Sequence, residues 1–114
     1  MKPYYQDDKA GITIYHADSR DVLPALVTGS VDLCFADPPF NAGKVYASGL
    51  HNDKMTRPAY VEWLREWIQL VPRTMRPGGT MWLMNDTRWI GWCQTILDDL
   101  GLAFLNMVAW VYTN

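Results

Sequence analysis

Two consecutive prolines stand where an apolar run ends, and they fix much of what can form around them. Val31-Asp32-Leu33-Cys34-Phe35-Ala36 reads as a strand, and Asp37-Pro38-Pro39-Phe40 stops it. Proline has no N–H to give to a ladder, so the chain must leave the sheet at Asp37 in a stiff turn. On both sides of that stop, short β-type runs alternate with helix-length amphipathic runs, the pattern of an α/β layered domain.

The run Gly11 to Asp18, with Ile12–His16 at its centre, reads as the first strand, and Ser19 offers an N-cap for a short helix to about Leu26. Val31–Ala36 is the second strand. Asn41 to Arg57 is a long irregular stretch bearing Gly43, Gly49, Asn52 and Asp53, and loops of that length in compact domains are usually functional or mobile. Thr56 and Pro58 open a helix whose apolar positions Val61, Leu64, Ile68, Val71 and Met75 share one face. Pro72 should kink or break it in the last turn, and Pro77-Gly78-Gly79 ends it. Thr80–Met84 is a third strand, apolar enough to be covered on both faces. Trp89, Cys93, Ile96 and Leu100 mark the next helix, closed by Gly101, and Ala103 to Tyr112 reads as a fourth strand. Helical crossovers between strands imply a mostly parallel sheet of about four strands with flanking helices.

Composition excludes several classes. Hydrophobic residues are 49% of the 114, too many for a disordered chain, and the length suits a single domain. Ten Lys+Arg against twelve Asp+Glu give a net charge of −2, which argues against a general nucleic-acid coat. No apolar run reaches the ~18 residues of a membrane span. The start, Met1-Lys2-Pro3-Tyr4, carries no signal-peptide stretch, so a cytoplasmic location without membrane partners is expected. Cys34 and Cys93 lack CxxC spacing and read as free thiols in a reducing compartment. His51 stands alone, and no cluster with metal-ligand spacing occurs, so no metal is expected. Trp63 and Trp67, four residues apart on one helix, read as packing rather than as stacking surfaces.

The residues at the proline stop carry the chemistry. Open α/β sheets place their ligand crevice at the carboxyl ends of strands, where Asp37 lies. Its carboxylate only accepts hydrogen bonds. Pro38 adds a carbonyl with no competing N–H, Pro39 stiffens the turn, and Phe40 lays a flat apolar face beside both acceptors. Two convergent acceptors next to an aromatic plate suit a planar ring with an exocyclic amino group. A strand-ending turn with Asp37 capping backbone amides is the plainer alternative.

At these residues the sequence resembles the amino-directed DNA methyltransferases that use S-adenosylmethionine. Asp37-Pro38-Pro39-Phe40 is similar to their catalytic motif, in which an initial Asp is more typical of adenine-N6 than of cytosine-N4 enzymes. Val31 to Asn41, Tyr60 to Thr80 and Trp110 to Asn114 extend the likeness over most of the chain, although Tyr112 stands where the family often has Lys. The resemblance implies a partial Rossmann-like methyltransferase fold and double-stranded DNA as partner, with the target base flipped out of the stack. Phe40 would stack on that base. Asp37 and the Pro38 carbonyl would accept from its amino group, and the nitrogen would take the methyl directly. Asn41 and Lys44 would join Phe40 on the substrate side. Asp18 and Asp37 would face the methyl donor, although Asp18 also suits a helix cap. Asn85 and Asp86 end the third strand on the same edge and read more simply as a turn. Lys44, Lys54 and Arg57 against Asp53 make the loop net +2, which suits phosphate contact or plain solvation.

The family's glycine-rich Phe-x-Gly-x-Gly turn has no counterpart, because no G-x-G occurs in the sequence. The arrangement resembles the permuted, β-group order, in which the catalytic half precedes the target-recognition region and the donor-binding half. Residues 1–114 are therefore expected to be the N-terminal catalytic half of such a domain, inactive alone. Their open strand edges imply a homodimer or higher association. Two other readings stay open: a non-catalytic remnant or interaction module, and a methyltransferase for cytosine N4, an RNA base or a glutamine side chain.

Overall fold

The computed structural model describes residues 1–47, 49 and 51–113. It shows a mixed α/β chain in which a parallel strand pair carries helices on one face. Strand β1 (Tyr5–Asp7) pairs antiparallel with β2 (Ile12–Ile14), with Tyr5 opposite Ile14. Helix α1 (Ser19–Ala25) leads to β3 (Val31–Ala36), and the loop beyond Phe40 leads to α2 (Arg57–Ile68). A single turn, α3 (Val71–Thr74), runs directly into β4 (Met75–Leu83), and α4 (Ile90–Asp99) follows.

The α/β class and the parallel pairing hold. Among the described residues the four strands nevertheless fall into two separate two-stranded sheets, and only β3 and β4 run parallel. The first expected strand shortens to Ile12–Ile14 and joins the residues immediately before it. A hairpin needs only a tight turn, here at Gly11 with φ 69°. The expected strand from Ala103 to Tyr112 is absent. Residues 102–113 have no regular structure, and Leu105, Trp110 and Val111 are each more than three-quarters exposed. Asn114, at the end of the Trp110 segment, lies outside the described residues. The radius of gyration, 15.3 Å, exceeds the roughly 13 Å of a compact chain of about this length, as an unpacked tail requires.

The long helix divides earlier than its apolar spacing suggests. Thr56 caps α2 by accepting the Ala59 N–H at 3.4 Å, and Pro58 sits in the first turn. Helix α2 ends at Ile68, before Pro72, and Met75 leaves the helical face to begin β4. The strand therefore runs through Pro77-Gly78-Gly79 instead of starting after it. The register jumps here: Val31 faces Met75, yet Leu33 faces Thr80. A bulge of this kind brings backbones close. A Cβ at Gly79 would sit 3.0 Å from the Arg76 carbonyl and 3.1 Å from that of Asp32, so any side chain there would crowd both backbones.

The core lies between α2, α3 and α4 and the inner face of the parallel pair. Tyr60, Leu64, Trp67 and Ile68 of α2 meet Val71, Trp89, Cys93 and Ile96, with Cys34, Ala36, Met81 and Leu83 beneath them. The other face of the pair is uncovered: Leu33 is 59% exposed, Phe35 63% and Trp82 44%. The third strand was expected to be covered on both faces, and one face alone is. Both thiols are free, with Cys93 buried and Cys34 half-buried. Among the described residues, no helix is long and apolar enough to cross a membrane.

Arg73 ties the first crossover to the core. Its guanidinium donates to the carbonyls of Leu23 (2.8 Å), Pro24 (3.3 Å) and Leu26 (2.9 Å) and to the Thr28 hydroxyl (2.7 Å). These carbonyls lie at the end of α1, where helical donors run out, although that of Leu23 still accepts the Leu26 N–H at 3.2 Å. Charge-assisted bonds of this type contribute about 1–3 kcal/mol, and exposure places this set at the lower end. Arg73→Ala is expected to lower unfolding stability by about 1 kcal/mol, measured by urea denaturation. An unchanged midpoint would show that water replaces the guanidinium without cost.

Candidate active site

Asp37 to Phe40 leave the carboxyl end of β3, next to the end of β4, where the Met84 N–H donates to the Ala36 carbonyl at 2.9 Å. Asp37 is exposed, whereas Pro38, Pro39 and Phe40 are half-buried. Asp37 accepts no hydrogen bond among the described residues, so it does not cap local amides. The two proline carbonyls differ. The Tyr60 hydroxyl donates to that of Pro39, while that of Pro38 takes no hydrogen bond among the described residues. Two acceptors without a partner among the described residues, the Asp37 carboxylate and the Pro38 carbonyl, thus lie on adjacent residues just before Phe40.

Tyr60 belongs to a short polar chain beneath the turn. Its hydroxyl accepts from Asn85 Nδ2 at 3.1 Å, and the same amide lies 3.6 Å from the Cys93 sulfur. Burial pushes the Tyr60 hydroxyl up to about 12 and the Cys93 thiol up to about 11, so both stay protonated near neutrality. Asn85 therefore faces the motif from within. Asp86 shapes the turn into α4, its carboxylate accepting the Arg88 N–H at 2.9 Å.

The loop after Phe40 folds back on itself. The Asp53 carboxylate, 4% exposed, accepts the N–H groups of Asn41 (3.0 Å), Ala42 (3.1 Å) and Lys44 (2.7 Å). The Asn41 side chain pairs with the Met55 backbone, accepting its N–H at 2.7 Å and donating to its carbonyl at 2.9 Å. Asn41 adopts φ 55°, a left-handed conformation that asparagine tolerates better than most residues. Lys44 is exposed and places Nζ 5.2 Å from the centre of the Tyr46 ring. Burial and then the Asp53 and Asp37 carboxylates push the Tyr46 hydroxyl up. Lys54 and Arg57 are exposed, and Arg57 lies 5.9 Å from the Trp92 ring rather than beside the motif.

Asp18 is the N-cap of α1, one residue before the expected Ser19. Its carboxylate accepts the Arg20 N–H at 2.9 Å and pairs with the Arg20 guanidinium at 2.7 Å. The hydrogen bonds from Arg20 hold this carboxyl below its ordinary range. Arg20 continues to Glu66 on α2 at 2.6 Å. The neighbours of Asp18, Ala17 and Ser19, line a cleft of about 410 Å³ shared with Asp37, Pro38 and Trp67. Trp67 is 6% exposed, and its indole N–H has no hydrogen-bond partner among the described residues. Trp63 lines the same cleft and stacks on Tyr60, with ring centroids 5.6 Å apart, so packing accounts for both tryptophans.

Asp53 and Tyr60 are the site residues that the sequence did not disclose. Asp53 read as one more loop charge, since nothing in its neighbours signals burial. Tyr60 had a faint signal, a hydroxyl-bearing ring in the first turns of a helix whose apolar face needs none.

Known proteins resemble this chain in sequence. The chain is 32% identical to the type II methyltransferase M.BamHI of Bacillus amyloliquefaciens, over 97% of its own length and 25% of the relative's. It is 35% identical to the type II methyltransferase M.HpaI of Haemophilus parainfluenzae, over 80% of this chain and 29% of that one. With the type II methyltransferase M2.LlaDCHI of Lactococcus lactis subsp. cremoris the identity is 31%, over 99% and 45%. The chain thus spans between a quarter and just under half of the relatives' lengths. The family model described as DNA methylase matches residues 31–114, from the first residue of β3 onward, and this chain belongs to that family.

Proposed function

We propose that residues 1–114 are the catalytic half of an enzyme that transfers a methyl group from S-adenosylmethionine to the exocyclic N6 of adenine in DNA. The glycine-rich donor-binding half and the target-recognition region then lie outside these residues. One observation carries this reading: the exposed Asp37 and the unoccupied Pro38 carbonyl sit side by side at a strand's carboxyl end, next to Phe40. The relatives' description as type II methyltransferases supports DNA as the substrate.

Each residue has a defined task. Phe40 stacks on a base flipped from the duplex, offsetting part of the roughly few kcal/mol that unstacking costs. Asp37 and the Pro38 carbonyl each accept one amino N–H, which draws the nitrogen lone pair out of the ring. Pro39 keeps the turn rigid, so both acceptors are in place without reorganisation. Asn41 shapes the loop behind Phe40, and Lys44 reaches the phosphate backbone. S-adenosylmethionine supplies an electrophilic methyl on its sulfonium. The cleft beside Asp37 has a volume in the range of small-molecule sites, and its lining combines apolar Leu23, Pro38, Pro39 and Val71 with Ser19, which suits part of such a molecule. Asp18 lies between two residues that line this cleft and serves as the acidic residue on the donor side, with Arg20 fixing its orientation. Donor affinity of residues 1–114 alone is weak in this account, because no glycine-rich turn is present.

The acceptor class is open to direct test. With labelled S-adenosylmethionine and a polypeptide that joins these residues to a donor-binding half, label is expected on unmethylated DNA. Label on RNA or on protein glutamine instead overturns the proposal.

The uncovered Leu33–Phe35–Trp82 face and the free edges of β3 and β4 support association through a second copy. Sedimentation of residues 1–114 is expected to give a dimer or larger species. A monomer at every concentration contradicts it.

A further inference from the structure

The backbone on either side of Phe40 is gripped by side chains that stand outside the motif. On one side the Tyr60 hydroxyl donates to the Pro39 carbonyl and is itself steadied by Asn85. On the other, all four amides from Asn41 to Lys44 end on Asp53: three on its carboxylate, and that of Gly43 on its backbone carbonyl at 2.9 Å. Surface loops seldom hold a carboxylate 4% exposed, because burying its charge requires several good donors. Here those donors are the residues next to Phe40, and the two anchors reach them from α2 and from the far end of the loop.

We propose that Asp53 and Tyr60 are positioning residues that fix Phe40 in place before a substrate arrives. The functional part of this inference rests on the reading of Phe40 as the ring that stacks on the target base. A ring whose flanking backbone is already fixed loses less freedom on stacking, so more of the contact energy remains for binding. Neither residue touches the base. They act through the Pro39 carbonyl and through the amides of residues 41 to 44.

The chain has only three phenylalanines, Phe35, Phe40 and Phe104, so ring-labelled phenylalanine gives one test signal and two internal controls. Spectra and amide hydrogen exchange would be recorded for the parent chain, Asp53→Asn, Tyr60→Phe and the double variant. Asp53→Asn should speed exchange at Asn41, Ala42 and Lys44 about tenfold or more and average the Phe40 ring signal. Tyr60→Phe keeps the ring in the core and should also change the Phe40 signal. Phe35, Phe104 and the α2 amides should stay as in the parent. If Asp53→Asn does not fold, Tyr60→Phe carries the same test alone. A Phe40 signal unaltered in every folded variant overturns the proposal. So does a change shared equally by all three rings and α2, which would mean general loosening. A protein that transfers no methyl group leaves this result standing, so failure of the two readings can be told apart.

Discussion

Exchanging Asp37 for alanine should lower methyl transfer to DNA by about a hundredfold or more, the usual scale for removing one fixed group aimed at charge that develops in the transition state. The experiment requires a polypeptide that carries these residues together with a donor-binding half. The side chain is exposed and accepts no hydrogen bond among the described residues, so none of their hydrogen bonds depends on it. Substitutions at such positions usually move stability by no more than about 0.5 kcal/mol. Activity and stability should therefore separate: turnover collapses while the unfolding midpoint stays. Asp37→Asn retains one acceptor oxygen and should fall between parent and alanine. Activity retained in Asp37→Ala would remove Asp37 from the chemistry and return it to a strand-ending turn.

The second large effect is on folding. Helix α2 touches α1, α3 and α4, so the helical layer is organised around it. Leu64 lies at its middle with no exposed surface. Leu64→Ala should cost about 2–5 kcal/mol, from lost burial plus the cavity left behind. Small domains hold only roughly 5–15 kcal/mol in total, so this variant should be largely unfolded in mild urea. The buried Trp67 and Trp89 report the transition by fluorescence. Leu33→Ala is the contrast, an equally apolar residue on the uncovered face of β3. It should leave the midpoint of a monomeric sample nearly unchanged and weaken self-association. Equal losses from both would mean that the face of Leu33 is buried within a single chain.

The parts of the fold set by local chemistry were legible in the sequence. Val31–Ala36 ends where two prolines forbid a ladder, and α2 begins at a Thr56 cap followed by Pro58. The 3-4 spacing of Leu64, Ile68 and Val71 marked the buried face, although it also drew Met75 into a helix that it leaves. Where pairing partners decide, local signals failed. Ile12–Ile14 has strand composition whichever neighbour it meets, and here it meets Tyr5–Asp7. Residues 103 to 112 read as a strand by content, yet no edge receives them. In the site, Asp37 to Phe40 stood out because four consecutive residues carry the whole arrangement. Asp53 and Tyr60 act from 13 and 20 residues beyond Phe40 (53 − 40 and 60 − 40), through backbone bonds that leave no spacing rule.

The most direct measurement is the identity of the methylated nucleoside. Unmethylated DNA would be treated with S-adenosylmethionine and a polypeptide joining these residues to a donor-binding half, then digested and separated by mass. N6-methyladenine is expected, present with the parent and lost with Asp37→Ala. N4-methylcytosine as the sole product, or no methylated base from a folded enzyme that binds the donor, would contradict it.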